Sequence, residues 1–195
     1  MQSLEVIFDE MIREGLEVKK RSLLSEELRR AFVDIFNVII KAIAGKHFVY
    51  VFGNGGSAAE SMHFSDEGVG RYALDRPAIP VIALCADSAV MSCIGNDYGF
   101  DEVFRRQVDG FVKKGDVVIG LSTSGQSKNV LNGLKRAKEL EATVIGLTGG
   151  NGGKMKDVCD TVYFVPSNKV AHIQEEHLAL IHMLYEALDK YLVNP

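Results

Sequence analysis

The chain has 195 residues, 47% of them hydrophobic, which suits one domain around a single large core. A net charge of −4 and a pI near 5.8 exclude any general attraction to nucleic acid or to an anionic membrane, so an anionic ligand has to be captured by local geometry. Cys85, Cys93 and Cys159 are odd in number, lack CxxC spacing and lie in or beside apolar segments, so they read as buried thiols of a reducing cytoplasm and not as a disulfide framework.

Residues 1–45 form an N-terminal helical segment. Apolar side chains recur there at three- and four-residue spacing in two blocks, Leu4 to Leu16 and Leu23 to Ile43, with Ser25, Glu26 and Glu27 supplying a helix start. The first predicted helix has no sheet of its own to cover and is a candidate for packing between subunits, although packing within one subunit fits the sequence equally well. Met1 to Arg21 mixes both charge signs, unlike a signal peptide, and no apolar run approaches the roughly 20 residues that span a bilayer.

After Gly45 short apolar runs alternate with helical patterns. Phe48–Phe52, Pro80–Leu84, Val117–Leu121, Ala142–Leu147 and Thr161–Val165 are predicted as buried parallel strands. Ser57–Tyr72, Ser88–Ile94, Asp101–Val112 and Ser127–Leu140 are long enough for crossover helices, and a last helix runs from about Val170 to Leu192. The expected fold is α/β: a three-layer α/β/α sandwich on a five-stranded parallel sheet, in one domain, with ligands beyond the carboxyl ends of the strands.

Two loops fall at those ends. Leu121-Ser122-Thr123-Ser124-Gly125-Gln126-Ser127 follows a strand and opens a helix, and its hydroxyls can all aim donors at one tetrahedral anion. No lysine or arginine lies inside it, which argues against a nucleotide P-loop and for a small phosphorylated metabolite held by neutral donors and a helix N-terminus. The plainer alternative is a connection capped at Ser127. Gly53-Asn54-Gly55-Gly56-Ser57-Ala58 fits a G-x-G-x-x-A dinucleotide fingerprint, but the acid that should end the next strand about 20 residues on is missing. A loop whose amides and Asn54 side chain meet sugar hydroxyls is the better reading.

Charged and imidazole groups then gather on two helices. His63 and Glu67 share a face, with Glu60 one turn earlier, and such a pair holds a divalent ion or makes the carboxylate a base. On the last helix Gln174, Leu178 and His182 line one stripe; His182 sits among apolar neighbours, while His172 and His177 read as solvated or rim positions. His63, Glu67, Gln174 and His182 together would suit zinc, provided the two helices meet.

The ordered set Gly53–Ser57, His63-Phe64 with Glu67, Gly70-Arg71-Tyr72, Gly95–Phe100, Ser122–Gly125 with Ser127, and Ile173-Gln174-Glu175 with His177 and His182 resembles the phosphoheptose isomerases of the sugar isomerase (SIS) domain superfamily across almost the whole chain. The resemblance implies a cytoplasmic homotetramer that converts sedoheptulose 7-phosphate to D-glycero-D-manno-heptose 7-phosphate for lipopolysaccharide or other surface heptose. It also implies zinc on His63, Glu67, Gln174 and His182, and substrate contacts from Asn54, Gly55, Gly56, Glu67, Asn96, Asp97, Ser122, Thr123, Ser124, Ser127 and Gln174. Moving a proton between adjacent carbons through a cis-enediol needs a base, here Glu67, and an acid, here His182. Membrane and nucleic-acid partners are not expected. This sequence departs from the family at Glu60 and Ala171, where Asp is common, and at His172, where Arg is usual, which keeps open another phosphosugar substrate or a non-catalytic SIS regulator of a replication initiator.

Overall fold

The computed structural model describes residues 2–193. Two helices come first, α1 (Leu4–Leu24) and α2 (Glu26–Ala44). Ser3 Oγ caps α1 by accepting from Val6 N at 3.3 Å, and Ser25 Oγ caps α2 by accepting from Leu28 N at 3.2 Å. α1 runs past the expected stop at Leu16 because Glu17, Val18, Lys19, Lys20 and Arg21 are compatible with a helix and contain no breaker; Leu23 and Leu24 close this helix instead of opening the next.

The rest alternates strand and helix: β1 (Val49–Gly53), α3 (Gly56–Val69), β2 (Val81–Ala83), α4 (Ser88–Tyr98), α5 (Arg105–Phe111), β3 (Val117–Leu121), α6 (Lys128–Glu139), β4 (Thr143–Gly149), β5 (Thr161–Val165) and α7 (Val170–Val193). The strands form one parallel sheet in the order β2-β1-β3-β4-β5, with Val49 beside both Val81 and Val117. The helix expected over Asp101–Val112 is instead a 3-10 turn, Phe100–Glu102, followed by α5. Gly99 reverses the chain at φ 89°, and the break lets Phe104 stack on Phe52 with ring centroids 4.6 Å apart.

Period-two alternation splits the core between the two faces of the sheet. Val49, Val51, Ile119, Leu121, Ile145 and Leu147 pack with α2, α3 and α7, while Tyr50, Phe52, Val118 and Val144 pack with α4, α5 and α6. α3 and α7 therefore share a face, and because each follows a strand of a parallel sheet they run in the same direction, which brings their polar stripes together.

No described helix is long and apolar enough to cross a membrane. Cys93 is exposed in the single chain, not buried as expected, because it lies on the outer face of α4; Cys85 and Cys159 are half-buried. Burial pushes the Cys85 thiol up, and the Cys159 thiol up to about 12 with Asp160 adding to the shift, so neither is a ready nucleophile.

Candidate active site

α3 meets α7 in ascending register. A Cβ on Gly56 would overlap the Gln174 amide, Glu60 faces His177, His63 faces His182, and the Phe64 and Tyr185 rings contact edge to face at 5.2 Å. Gly56 is thus a close-approach glycine that admits Gln174 to the start of α3.

His63, Glu67 and His182 offer ligand atoms all within 4.8 Å of one another. His63 Nε2 lies 3.0 Å from His182 Nε2 and 3.6 Å from Glu67 Oε1, while its Nδ1 lies 3.2 Å from Asp66 Oδ1. Asp66 thus lies on the Nδ1 side of the His63 ring, and Nε2 is the ring atom that faces the cluster. Two imidazole nitrogens that close need a proton or a cation between them. A set of two imidazoles and one carboxylate suits a borderline ion such as zinc, so these three residues fit the group, while the Gln174 amide, the fourth expected ligand, is placed against Gly56 at the start of α3. The Tyr72 ring lies 5.9 Å from the His182 ring and covers its other side.

A layer outside the cluster was not anticipated from the sequence. Buried Arg76 donates to Glu67 O at 2.5 Å, to Gly68 O at 2.9 Å and to Asp189 Oδ1 at 2.7 Å, clamping the carboxyl end of α3 to α7. Burial alone would raise the Asp189 pKa, but the Leu74 and Ala73 amides and the Arg76 guanidinium together hold it below the usual carboxylate range. Tyr185 Oη donates to Phe64 O at 2.5 Å, and burial drives its pKa well up, so it stays a neutral strut. Asp189, a charged residue on the apolar stripe of Ile181, Leu184, Tyr185 and Leu188, was the one signal in the sequence.

The hydroxyl loop lies beyond β3. Ser122 and Ser127 Oγ are 2.9 Å apart, Gly125 N donates to Ser122 O at 3.0 Å, and Ser124 Oγ accepts from Gln126 N at 3.2 Å. Ser127 occupies the N-cap position of α6 but makes no side-chain cap bond, so its hydroxyl belongs to the loop; Val130 N is taken by Asn129 Oδ1 at 2.9 Å, and the amides of Lys128 and Asn129 stay open among the described residues. Gly125, at φ 64°, lets the loop press onto the backbone of Gly152 and Gly153. The loop's other side, Thr123 and Ser124, lines a cavity of about 1130 Å³ shared with Arg13, Lys169 and His172. That cavity touches the hydroxyl loop but none of His63, Glu67, Gln174 or His182.

Asn54 reaches across to α6: Asn54 Nδ2 donates to Asn129 Oδ1 at 2.8 Å and Asn129 Nδ2 returns to Asn54 Oδ1 at 2.9 Å, so its amide has a structural partner besides any sugar. Gly55, at φ 55°, and Gly56 leave the first turn of α3 without a side-chain cap. Asn96 and Asp97 stay exposed in the last turn of α4, bonded to each other at 2.8 Å and, among the described residues, to no member of the α3–α7 cluster.

Two histidines expected at the rim are buried. His172 is 2% exposed because α1 covers the first turn of α7, where its ring nitrogens lie 3.1 Å from Glu175 and 3.3 Å from Glu14. The Glu175 carboxylate and then Glu14 raise its pKa against the opposing effect of burial. His177 is fully buried because it faces the seam, with Nε2 3.3 Å from Thr148 O.

The SIS domain family profile matches residues 18–149. The phosphoheptose isomerase of Nitratiruptor sp. is 44% identical over 165 residues, 85% of this chain and 88% of that protein. The Aquifex aeolicus phosphoheptose isomerase is 42% identical over 180 residues, 92% and 93% of the two chains. A phosphoheptose isomerase structure from Francisella tularensis superposes with a TM-score of 0.92 at 32% identity, over 97% of this chain and all of that one. On this likeness of sequence and structure, the chain belongs to the phosphoheptose isomerase family of SIS-domain enzymes.

Proposed function

We propose that the chain interconverts sedoheptulose 7-phosphate and D-glycero-D-manno-heptose 7-phosphate through a cis-enediol, as a cytoplasmic step toward lipopolysaccharide or surface heptose. The observation that carries this reading is the meeting of Glu67, His63 and His182 across α3 and α7, in a family whose relatives are phosphoheptose isomerases.

Glu67 takes a proton from C1 of the ketose and returns it to C2, while His182 carries one between O1 and O2, so the carbonyl moves by one carbon with no net gain or loss of protons. The helix-to-helix packing fixes both groups before substrate arrives. Ser122, Thr123, Ser124, Ser127 and the open end of α6 receive the distal phosphate, which sets which carbons stand over Glu67. His63, Glu67, Gln174 and His182 would hold the ion, and zinc there supplies a positive charge that stabilises developing negative charge on the sugar oxygens. Gly55, Gly56, Asn54, Asn96 and Asp97 are proposed to contact the sugar, the last two after the surface of α4 is brought into a complete assembly.

That assembly is a homotetramer in this reading. α1 buries only Val18 and leaves Leu4, Phe8, Ile12 and Leu16 between 52% and 83% exposed, an apolar stripe that a second copy would cover.

The test is turnover of sedoheptulose 7-phosphate by purified protein with and without zinc. Turnover that falls on chelation and returns with zinc supports the isomerase and its metal set together; folded, zinc-supplied protein with no turnover overturns the heptose assignment. Ala171 and His172 favour one second reading, a different phosphosugar, which turnover of a pentose or hexose phosphate in place of the heptose would support.

A further inference from the structure

Glu60 and His177 take no part in the chemistry above, yet they sit inside the same seam. Glu60 is 8% exposed and His177 is fully buried, and Glu60 Oε2 lies 3.7 Å from His177 Nδ1, beyond hydrogen-bond reach. Neither Glu60 oxygen nor His177 Nδ1 has another partner among the described residues. Buried polar groups left unpaired cost stability, and a core retains them where they serve something else.

Their neighbours indicate what that is. Glu60 stands one turn before His63 on α3, and His177 stands between Gln174 and His182 on α7. The other face of His177 meets Thr148 O at the end of β4, and the next residue, Gly149, donates its N–H to Thr123 O of the hydroxyl loop at 3.1 Å. One line of contacts thus runs from the phosphate-anchoring loop through His177 and Glu60 into the helix that bears His63 and Glu67. Because Nε2 meets the Thr148 carbonyl, Nδ1 is the ring atom of His177 that faces Glu60 Oε2.

We infer that Glu60 and His177 form a positioning couple that sets the spacing between the hydroxyl loop and the proton-moving pair, and holds α3 and α7 close enough for His63, Glu67, Gln174 and His182 to share one ion. This rests on the isomerase reading. Neither residue touches the reacting atoms.

The experiment compares full-length parent, Glu60→Gln, Glu60→Asp and His177→Asn for thermal unfolding, for zinc affinity by competition with a chromophoric chelator, and for kcat and KM with sedoheptulose 7-phosphate. Glu60→Gln is expected to unfold at the parent's temperature or above, since it removes a buried unpaired acid, while zinc affinity and kcat each fall at least tenfold and KM moves less than threefold. Glu60→Asp, which keeps the acid, recovers part of both losses. That opposition between stability and function is what a purely structural pair does not produce. Zinc affinity and kcat within twofold of the parent, or stability and activity falling together with no recovery in Glu60→Asp, overturn the couple. Should Glu60→Gln not fold, His177→Asn is read by the same criteria, and failure of both to fold assigns the pair to structure alone. A parent that neither binds zinc nor turns over the heptose overturns the isomerase reading itself, a result distinct from an active parent with unaffected variants.

Discussion

The α3–α7 seam and the hydroxyl loop are both polar, yet they are held in opposite ways. The loop satisfies much of itself: Ser122 bonds Ser127, Ser124 bonds Gln126 N, and Gly125 closes the turn. The seam joins residues from distant parts of the chain and keeps polar atoms without partners, Glu60 and His177 Nδ1 among them. An anchor can be local, because a phosphate brings its own charge to a ready set of donors. A proton-transfer site has to hold groups at cross purposes, and only packing from outside keeps them there.

Glu67→Gln tests the seam side of this comparison and has the largest expected effect. It should cut kcat by roughly 10²–10⁴-fold, the usual worth of a positioned base, while phosphosugar binding measured by calorimetry stays largely intact. Unchanged turnover would remove Glu67 from the base role and leave the seam as mere packing. Ser124→Ala tests the loop side and should do the reverse: kcat nearly constant, and KM up on the order of thirtyfold, for the loss of about 2 kcal/mol of hydrogen bonding to a charged group. An unaltered KM would detach the phosphate from the loop.

The smallest effect marks where both regions end. His172 fastens α7 to α1 through Glu14 and is flanked within its own helix by Glu175, and Glu14 also pairs with Lys169. Because the folded pKa of His172 is raised, its contribution is complete below the ordinary imidazole value near 6.5 and is lost as the pH climbs through the raised value. Both acids are exposed to solvent, so the gain is small, about 0.5 kcal/mol or roughly 1–2 °C in Tm between acid and alkaline buffer. His172→Gln should flatten that slope, as followed by thermal unfolding from pH 6 to pH 9; an unchanged slope would place the titrating group elsewhere.

Much of the fold was legible because buried parallel strands are written as short β-branched runs, and Val117–Leu121 and Thr161–Val165 have the bounds read from the sequence. The pairing of His63 with Glu67 was legible for the same reason of period, since both lie within one helix. What the sequence does not display is who meets across elements. Nothing local says that Asn54 and Asn129 exchange amides, or that Arg76 holds the carbonyl of Glu67. His172 and His177 were misjudged because Glu175 and Glu176 make that stretch look wet; the outward residues of a helix set its texture while the inward ones are decided by what packs upon them, here α1 and the end of β4. Phe104 broke an expected helix through a distant ring-stacking partner, Phe52, which no window of periodicity contains.

α7 closes the order of elements, and it alone brings Gln174 and His182. All five strands, the hydroxyl loop and α3 with His63 and Glu67 precede Val170 in the chain, so α7 is the last element to reach the sheet as the chain is made. Competence arrives late and all at once, with the docking of a single helix onto α3. A proteolytic cut ahead of Val170 would take Leu180, Ile181, Leu184, Tyr185 and Leu188 out of the core together with Gln174 and His182, so the packing of that face of the sheet and the α3–α7 cluster would be lost in one stroke.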